Sequence, residues 1–125
     1  MAREIKILAG EVESRAVLNS SSMAEALWKS LPQVSSASRW GDEIYFTISV
    51  EPAEGEKKEV VEKGDIAFWP PGKAFCIFFG PTPISRGEEI RPASAVIMLG
   101  KIEGSLEEFK KVRDGDEIRL EKVQG

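Results

Sequence analysis

The sequence contains no histidine and a single cysteine, Cys76. Without histidine, the chain cannot form a Ser–His or Cys–His nucleophile pair or a zinc site with histidine ligands. One cysteine cannot make a disulfide within the chain or a cluster of thiolate ligands. We therefore expect no metal site and no catalysis that depends on an imidazole.

Signals for several partner classes are also missing. Gly72-Lys73-Ala74 and Gly100-Lys101-Ile102 lack the spacing of a phosphate-binding loop, and no dinucleotide fingerprint occurs, so we expect no cofactor. A net charge of −4 provides no basic surface for nucleic acid or anionic lipid. No apolar run approaches the length of a membrane span, and the N-terminal residues do not resemble a signal peptide. These absences predict a cytoplasmic protein that contacts no membrane, as a monomer or a weak homo-oligomer.

The chain of 125 residues has the length of one domain, and we expect residues 1–125 to form a single unit. The charged segment 51–59 is too short to link two domains. Its glutamates alternate with lysines, which favours a solvated loop over a metal site.

The most informative segment is residues 64–83, which reads GDIAFWPPGKAFCIFFGPTP. Two apolar runs, Ile66–Trp69 and Ala74–Phe79, flank the turn Pro70-Pro71-Gly72. Because proline removes backbone donors and fixes φ, this segment cannot be a helix. It predicts a β-hairpin, with Cys76 packed in the interior rather than reactive.

The rest of the chain predicts more strands and two short helices. The first 18 residues form a hairpin that turns near Gly10, and Trp40–Val50 alternates between apolar and polar residues. Capping boxes at Ser22 and Ser105 each predict the start of a helix. About eight strands result, a number that suits a closed antiparallel barrel without exposed edges. The predicted fold class is therefore mainly β, a closed eight-stranded antiparallel barrel with two short helices.

The aromatic residues are the main functional signal. Most of them are expected to fill the core, but Trp40 and Trp69 each adjoin a turn, where an indole often lines the mouth of a cavity. In the strand Trp40–Val50, Glu43 and Tyr45 lie on the face opposite Ile44. That face is either wet or part of a groove.

Several of these motifs together resemble the cyclophilin-like family. The segment Val96–Leu106 is similar to the cyclophilin signature in which a strand ends in Gly-Lys, followed shortly by Gly and a helix. Trp40-Gly41-x-Glu43, Gly64-Asp65, Trp69-Pro70-Pro71-Gly72 and Phe78-Phe79-Gly80-x-Thr82-Pro83 resemble the small prokaryotic cyclophilin-like proteins, whose activity is not established. The resemblance covers nearly the whole chain and implies the cyclophilin-like form of the barrel.

Cyclophilins isomerise Xaa–Pro bonds, and the chain departs from their catalytic pattern. The position of the family's groove histidine corresponds to Val96, and that of its groove tryptophan to Arg91. The family's catalytic arginine can be matched only loosely, to Arg39. Catalysis needs such a donor to weaken amide resonance at the imide nitrogen.

Three functions remain open from the sequence. The first is the binding of a proline-containing peptide or small molecule in an aromatic groove. The second is a weak peptidyl-prolyl cis-trans isomerase with Arg39 or Arg91 as the donor, and the third is an assembly interface formed by the aromatic patch. The predicted ligand-binding residues are Arg39, Trp40, Glu43, Tyr45, Trp69, Pro70, Phe75 and Arg91.

Overall fold

The computed structural model describes residues 3–123, which contain one antiparallel sheet of ten strands, one α-helix and two 3₁₀ helices. The strands are β1 (Arg3–Ala9), β2 (Val12–Leu18), β3 (Gln33–Ser36), β4 (Ser38–Arg39), β5 (Glu43–Thr47), β6 (Lys57–Lys58), β7 (Asp65–Trp69), β8 (Ala74–Phe78), β9 (Val96–Glu103) and β10 (Glu117–Lys122). The α-helix, α1, spans Ser22–Ser30, and the 3₁₀ helices span Pro70–Gly72 and Glu107–Lys111. The prediction of a mainly β, antiparallel fold is confirmed.

The sheet curls but does not close. Hydrogen-bonded neighbours follow the order β3-β10-β1-β2-β9-β7-β8-β5-β4, and β6 pairs with β9 beside this path. The predicted closed eight-stranded barrel is wrong, because the terminal strands β3 and β4 are consecutive in the chain instead of paired. Between them, the backbone N–H of Ala37 donates to the carbonyl of Asp116, and its carbonyl accepts from Gly115, both at 2.8 Å. Because β3 pairs with β10 and β4 pairs with β5, residues 33–39 connect these two parts of the sheet. No hydrogen-bond ladder joins β3 to β4.

The N-cap of helix α1 lies one residue before the serine of the predicted capping box. Ser21 is the N-cap, and its hydroxyl accepts a hydrogen bond of 3.1 Å from the N–H of Ala24. The helix buries Met23, Ala24 and Leu27 against the interior of the sheet. Over residues 3–123, no helix has the length and apolar character needed to cross a membrane.

Of the two short helices expected, only the first is an α-helix; the second is the 3₁₀ helix Glu107–Lys111, so the expectation of two regular helices is not supported. Phe109 in this helix and Val112, its C-cap, are three residues apart, and both are buried. A 3₁₀ helix has three residues per turn and places such a pair on the same face. At Val112 the backbone becomes extended, which leaves too few residues for a stable α-helix.

The hairpin of β7 and β8 has apolar neighbours on both faces. Ile66, Phe68, Phe75 and Ile77 point into the main core inside the curled sheet. The opposite face carries a second, smaller core, which we call the outer core; its members are Val61, Ala67, Ala74, Cys76, Phe78, Ile90, Val96 and Met98. Two of these, Val61 and Ile90, come from loops and form an isolated β-bridge. The candidate site lies at the edge of this outer core.

Candidate aromatic pocket

A pocket opens beside the outer core, where the start of β5 and the end of β7 meet the long loop, residues 79–95. Its volume is about 160 Å³. A cavity of roughly 150 Å³ can hold a benzene ring, so this pocket has the capacity for one compact ring or a branched alkyl group. Its lining residues are Trp40, Glu43, Tyr45, Trp69, Pro92 and Ala93.

Four predicted site residues therefore come together at one pocket: Trp40, Glu43, Tyr45 and Trp69. The tight turn between β4 and β5 brings Trp40 next to Glu43. The backbone N–H of each of these two residues donates to the carbonyl of the other, at 2.9 Å and 3.2 Å. Tyr45 follows two residues after Glu43 on β5, so its side chain lies on the same face of the sheet.

Glu43 is the polar group of the pocket, and it is buried. Its residue surface is 5% exposed, and its Oε1 has no hydrogen-bond partner among the described residues. Burial raises the pKa of Glu43 from 4.5 to about 7, and an interaction with the thiol of Cys76 offsets part of the rise. At neutral pH this carboxyl group is therefore poised between its neutral and charged forms.

The indole of Trp69 is fixed from two sides. Its Nε1–H donates a hydrogen bond of 2.7 Å to the hydroxyl of Ser94 in the long loop. Gly72 lies against the ring system, where a Cβ atom would come within 2.8 Å of the indole. The 3₁₀ turn with its glycine thus leaves room for the indole at the end of β7.

The long loop reaches the pocket through Pro92 and Ala93, and a network of hydroxyl groups holds it there. The hydroxyl of Ser85 accepts hydrogen bonds from the backbone N–H groups of Thr82 (2.9 Å) and Arg91 (3.0 Å). It also lies 3.1 Å from the hydroxyl of Thr82, which donates to the carbonyl of Arg91. This network fixes the backbone directly before Pro92.

The other four predicted site residues do not line the pocket. Phe75 is fully buried in the main core, where it stacks on Phe46 with ring centroids 5.2 Å apart. The prediction that Phe75 lines the groove is wrong; all five residues of β8 are buried, so the strand shows no alternation that assigns Phe75 to a face. Pro70 starts the 3₁₀ turn, and its carbonyl accepts from the N–H of Lys73.

Both arginines are engaged elsewhere. The guanidinium of Arg39 lies over the ring of Phe79, 4.9 Å from its centroid, and donates to the carbonyls of Gly41 and Val112. Arg91 forms an ion pair with Glu89 at 2.8 Å. Neither is among the pocket-lining residues.

Sequence reasoning missed Pro92, Ala93 and Ser94, although the long loop that carries them was recognisable from its length and composition. The residue at the family's histidine position, Val96, is fully buried in the outer core beneath the pocket. Within residues 3–123, no group of three or more Asp, Glu, His or Cys side chains is arranged to hold a metal ion.

Comparison with known proteins gives a family model and a solved structure that match nearly the whole chain. The family model described as Cyclophilin-like matches residues 3–121. The structure is similar to the solution structure of the hypothetical protein AF2241 from Archaeoglobus fulgidus, with 44% sequence identity and a TM-score of 0.83. That match covers 98% of this chain and 95% of the archaeal chain. No curated protein matches.

Proposed function

The chain belongs to the cyclophilin-like family, as its motifs predicted, and we propose that it is a binding protein whose aromatic pocket takes one compact apolar group of a ligand. The group is the proline ring of a peptide or a part of a small molecule of similar size. The observation that carries the proposal is a pocket of about 160 Å³ lined by two indoles and a phenol ring. Small-molecule sites have this character: concave, mostly apolar, with few polar groups.

Binding is favoured over isomerisation because, among residues 3–123, no arginine lines the pocket to act as the donor. The barrier to Xaa–Pro rotation is about 20 kcal/mol, and a catalyst lowers it by donating to the imide nitrogen. Arg39 donates to backbone carbonyls, and Arg91 is paired with Glu89. A binding role requires neither guanidinium.

Binding is also favoured over an assembly interface. An interface patch presents a broad apolar surface, whereas the rings here surround a hollow with a buried carboxyl group. Such a hollow suits a small inserted group.

The test is an NMR titration that follows the indole N–H signals of the three tryptophans. The probes are a blocked Ala-Pro dipeptide, a blocked Ala-Ala dipeptide as its control, and N-acetylpyrrolidine as an isolated ring. We expect the signals of Trp40 and Trp69 to shift with the two ring-containing probes. Trp28, which packs against the main core from α1, is the internal control and should not move.

The same Ala-Pro peptide serves in an isomerisation assay. Shifts without rate enhancement would support binding alone, and a clear rate enhancement would restore the isomerase hypothesis. Shifts confined to Trp28, or equal shifts with the Ala-Ala control, would contradict recognition of a ring in this pocket.

A further inference from the structure

Resting on the proposed function, we propose that the group taken by the pocket is a compact organic cation, an alkylammonium whose positive charge lies against the carboxylate of Glu43. The aromatic walls of Trp40, Tyr45 and Trp69 would surround its alkyl groups. The proposal names the ligand class of the pocket and concerns the same site.

The first argument is the chemistry of the lining. Glu43 is the only charged residue among the six that line the pocket, and it is acidic. An anionic ligand would meet this carboxyl group without a basic residue to compensate its charge. A neutral ring can fill the same hollow, but it would leave Oε1 without a partner, whereas a cation would provide one.

The second argument is that nearby cations of the protein do not neutralise Glu43. Arg39 and Arg91 are the arginines closest to the pocket residues in sequence, and both have other partners. The Arg39 guanidinium pairs with Asp42 at 3.4 Å and with backbone carbonyls, and Arg91 pairs with Glu89. A cationic ligand would therefore supply a counter-charge that residues 3–123 do not provide in an ion pair with Glu43.

The third argument is the aromatic composition. Tryptophan and tyrosine rings attract cations through their π faces, and desolvated pairs of this kind are worth more than exposed ones. Quaternary ammonium groups are recognised in this way by cages of aromatic side chains. The pocket combines two tryptophans, one tyrosine and one glutamate.

Charge recognition predicts a specific dependence on pH. The titratable groups that face Glu43 are the thiol of Cys76 on β8, whose pKa burial raises well above its usual value, and the phenol of Tyr45 on β5. A thiol whose pKa is raised stays neutral between pH 6 and pH 8. The carboxyl group of Glu43, whose pKa is about 7, titrates in this window, and a cation binds best to its ionised form.

The experiment compares choline with 3,3-dimethyl-1-butanol, its neutral isostere, by NMR titration of the wild-type protein and of Glu43→Gln. At pH 8 we expect choline to bind the wild type at least about tenfold more tightly than the alcohol. The dissociation constant of choline should rise by about tenfold between pH 8 and pH 6, while that of the alcohol should not rise. Glu43→Gln should remove both the preference and the pH dependence.

The matched control is Glu88→Gln, which neutralises an exposed glutamate of the long loop that does not line the pocket. It removes the same charge from the protein as Glu43→Gln does, and it should change neither the preference for choline nor its pH dependence. An equal loss of the preference for choline in Glu43→Gln and Glu88→Gln would mean that the net charge of the protein, and not Glu43, attracts the cation.

The outcomes separate the two proposals. Equal binding of choline and the alcohol, or a preference that survives in Glu43→Gln, would overturn the cation proposal and leave the binding pocket in place. Binding of N-acetylpyrrolidine with no binding of choline would also overturn the cation proposal and leave the binding pocket in place. If none of these probes shifts Trp40 or Trp69, both proposals are wrong.

Discussion

The indole of Trp69 and the hydroxyl of Ser94 join the end of β7 to the long loop by a hydrogen bond of 2.7 Å. The two residues are 25 positions apart in the chain, and Ser94 is the first residue after the two loop residues that line the pocket. The bond therefore couples the orientation of one aromatic wall to the position of the loop that forms another wall.

Removal of this bond should loosen the pocket without unfolding the protein. In Ser94→Ala, the indole loses a partner that contributes roughly 1 kcal/mol, and any ligand of the pocket should bind a few times more weakly. The thermal midpoint should change little, because Ser94 is exposed. The comparison is Ser20→Ala, another exposed serine, which should leave affinity unchanged; equal losses in both variants would contradict the role of the bond.

The substitution Trp69→Ala tests whether the indole that lines the pocket contributes to ligand binding. Loss of the indole should weaken binding of a pocket ligand by about 1–3 kcal/mol while the protein stays folded. The indole is only partly buried and packs at the edge of the outer core, so its removal should leave the main core intact. Binding is measured by NMR titration and folding by circular dichroism. Complete unfolding would mean that Trp69 serves mainly the core.

The raised pKa of Glu43 predicts how stability varies with pH. Its folded value is about 7 against an ordinary 4.5, so the native state retains a proton that the unfolded state has lost between these values. The free energy of unfolding should therefore fall as pH rises from about 4.5 to about 7, by up to roughly 3 kcal/mol from this group. Urea unfolding of wild type and Glu43→Gln across this range gives the difference, in which the other titrating groups cancel. A constant difference would contradict the burial of Glu43.

How far the sequence predicts the site is clear from Glu43 and Phe75. Alternation in β5 places Glu43 on the face opposite Ile44, but it does not predict that Pro92 and Ala93 of a distant loop line the same pocket. In β8 all five residues are buried, so no polar residue marks which face Phe75 occupies. Local periodicity assigns a face only where one side of the strand is wet.

The position of Arg39 and the pairing of the sheet edges are two further features that local periodicity does not predict. Arg39 precedes Trp40 in sequence, yet its guanidinium lies over the ring of Phe79 and does not line the pocket. The number of strands favours closure, but in the structure β3 pairs with β10 and β4 pairs with β5, and these two terminal strands do not pair with each other. Such long-range backbone pairing leaves no local pattern in the sequence.

Gly100 should be intolerant of any side chain. It lies in β9 between Leu18 of β2 and Ile66 of β7, and an added Cβ would overlap the carbonyl oxygen of Val17. Gly100→Ala must displace backbone in the middle of the sheet, and we expect it to lower the free energy of unfolding by roughly 3 kcal/mol. Gly104→Ala is the control, since its φ is also positive but nothing lies within 4 Å of the added carbon. It should lose only about 1 kcal/mol.

Asp65 and Lys101 connect β7 to β9 at the end of the sheet. Asp65 is 2% exposed; its Oδ2 accepts from the N–H of Glu62 at 2.8 Å, and its Oδ1 lies 3.0 Å from the Nζ of Lys101. Hydrogen bonding to Asp65 is the main cause of the raised pKa of Lys101. The pair should therefore stabilise the fold more than an exposed ion pair does.

A double-mutant cycle of Asp65→Asn and Lys101→Met measures this coupling by urea unfolding. We expect roughly 1–2 kcal/mol, less than for a fully buried pair because the lysine is half exposed and solvent screens its charge. The control cycle uses Glu25 and Lys29 on α1, an exposed pair at 3.5 Å, for which about 0.5 kcal/mol or less is expected. Equal couplings in the two cycles would show that burial of Asp65 does not strengthen its bond to Lys101.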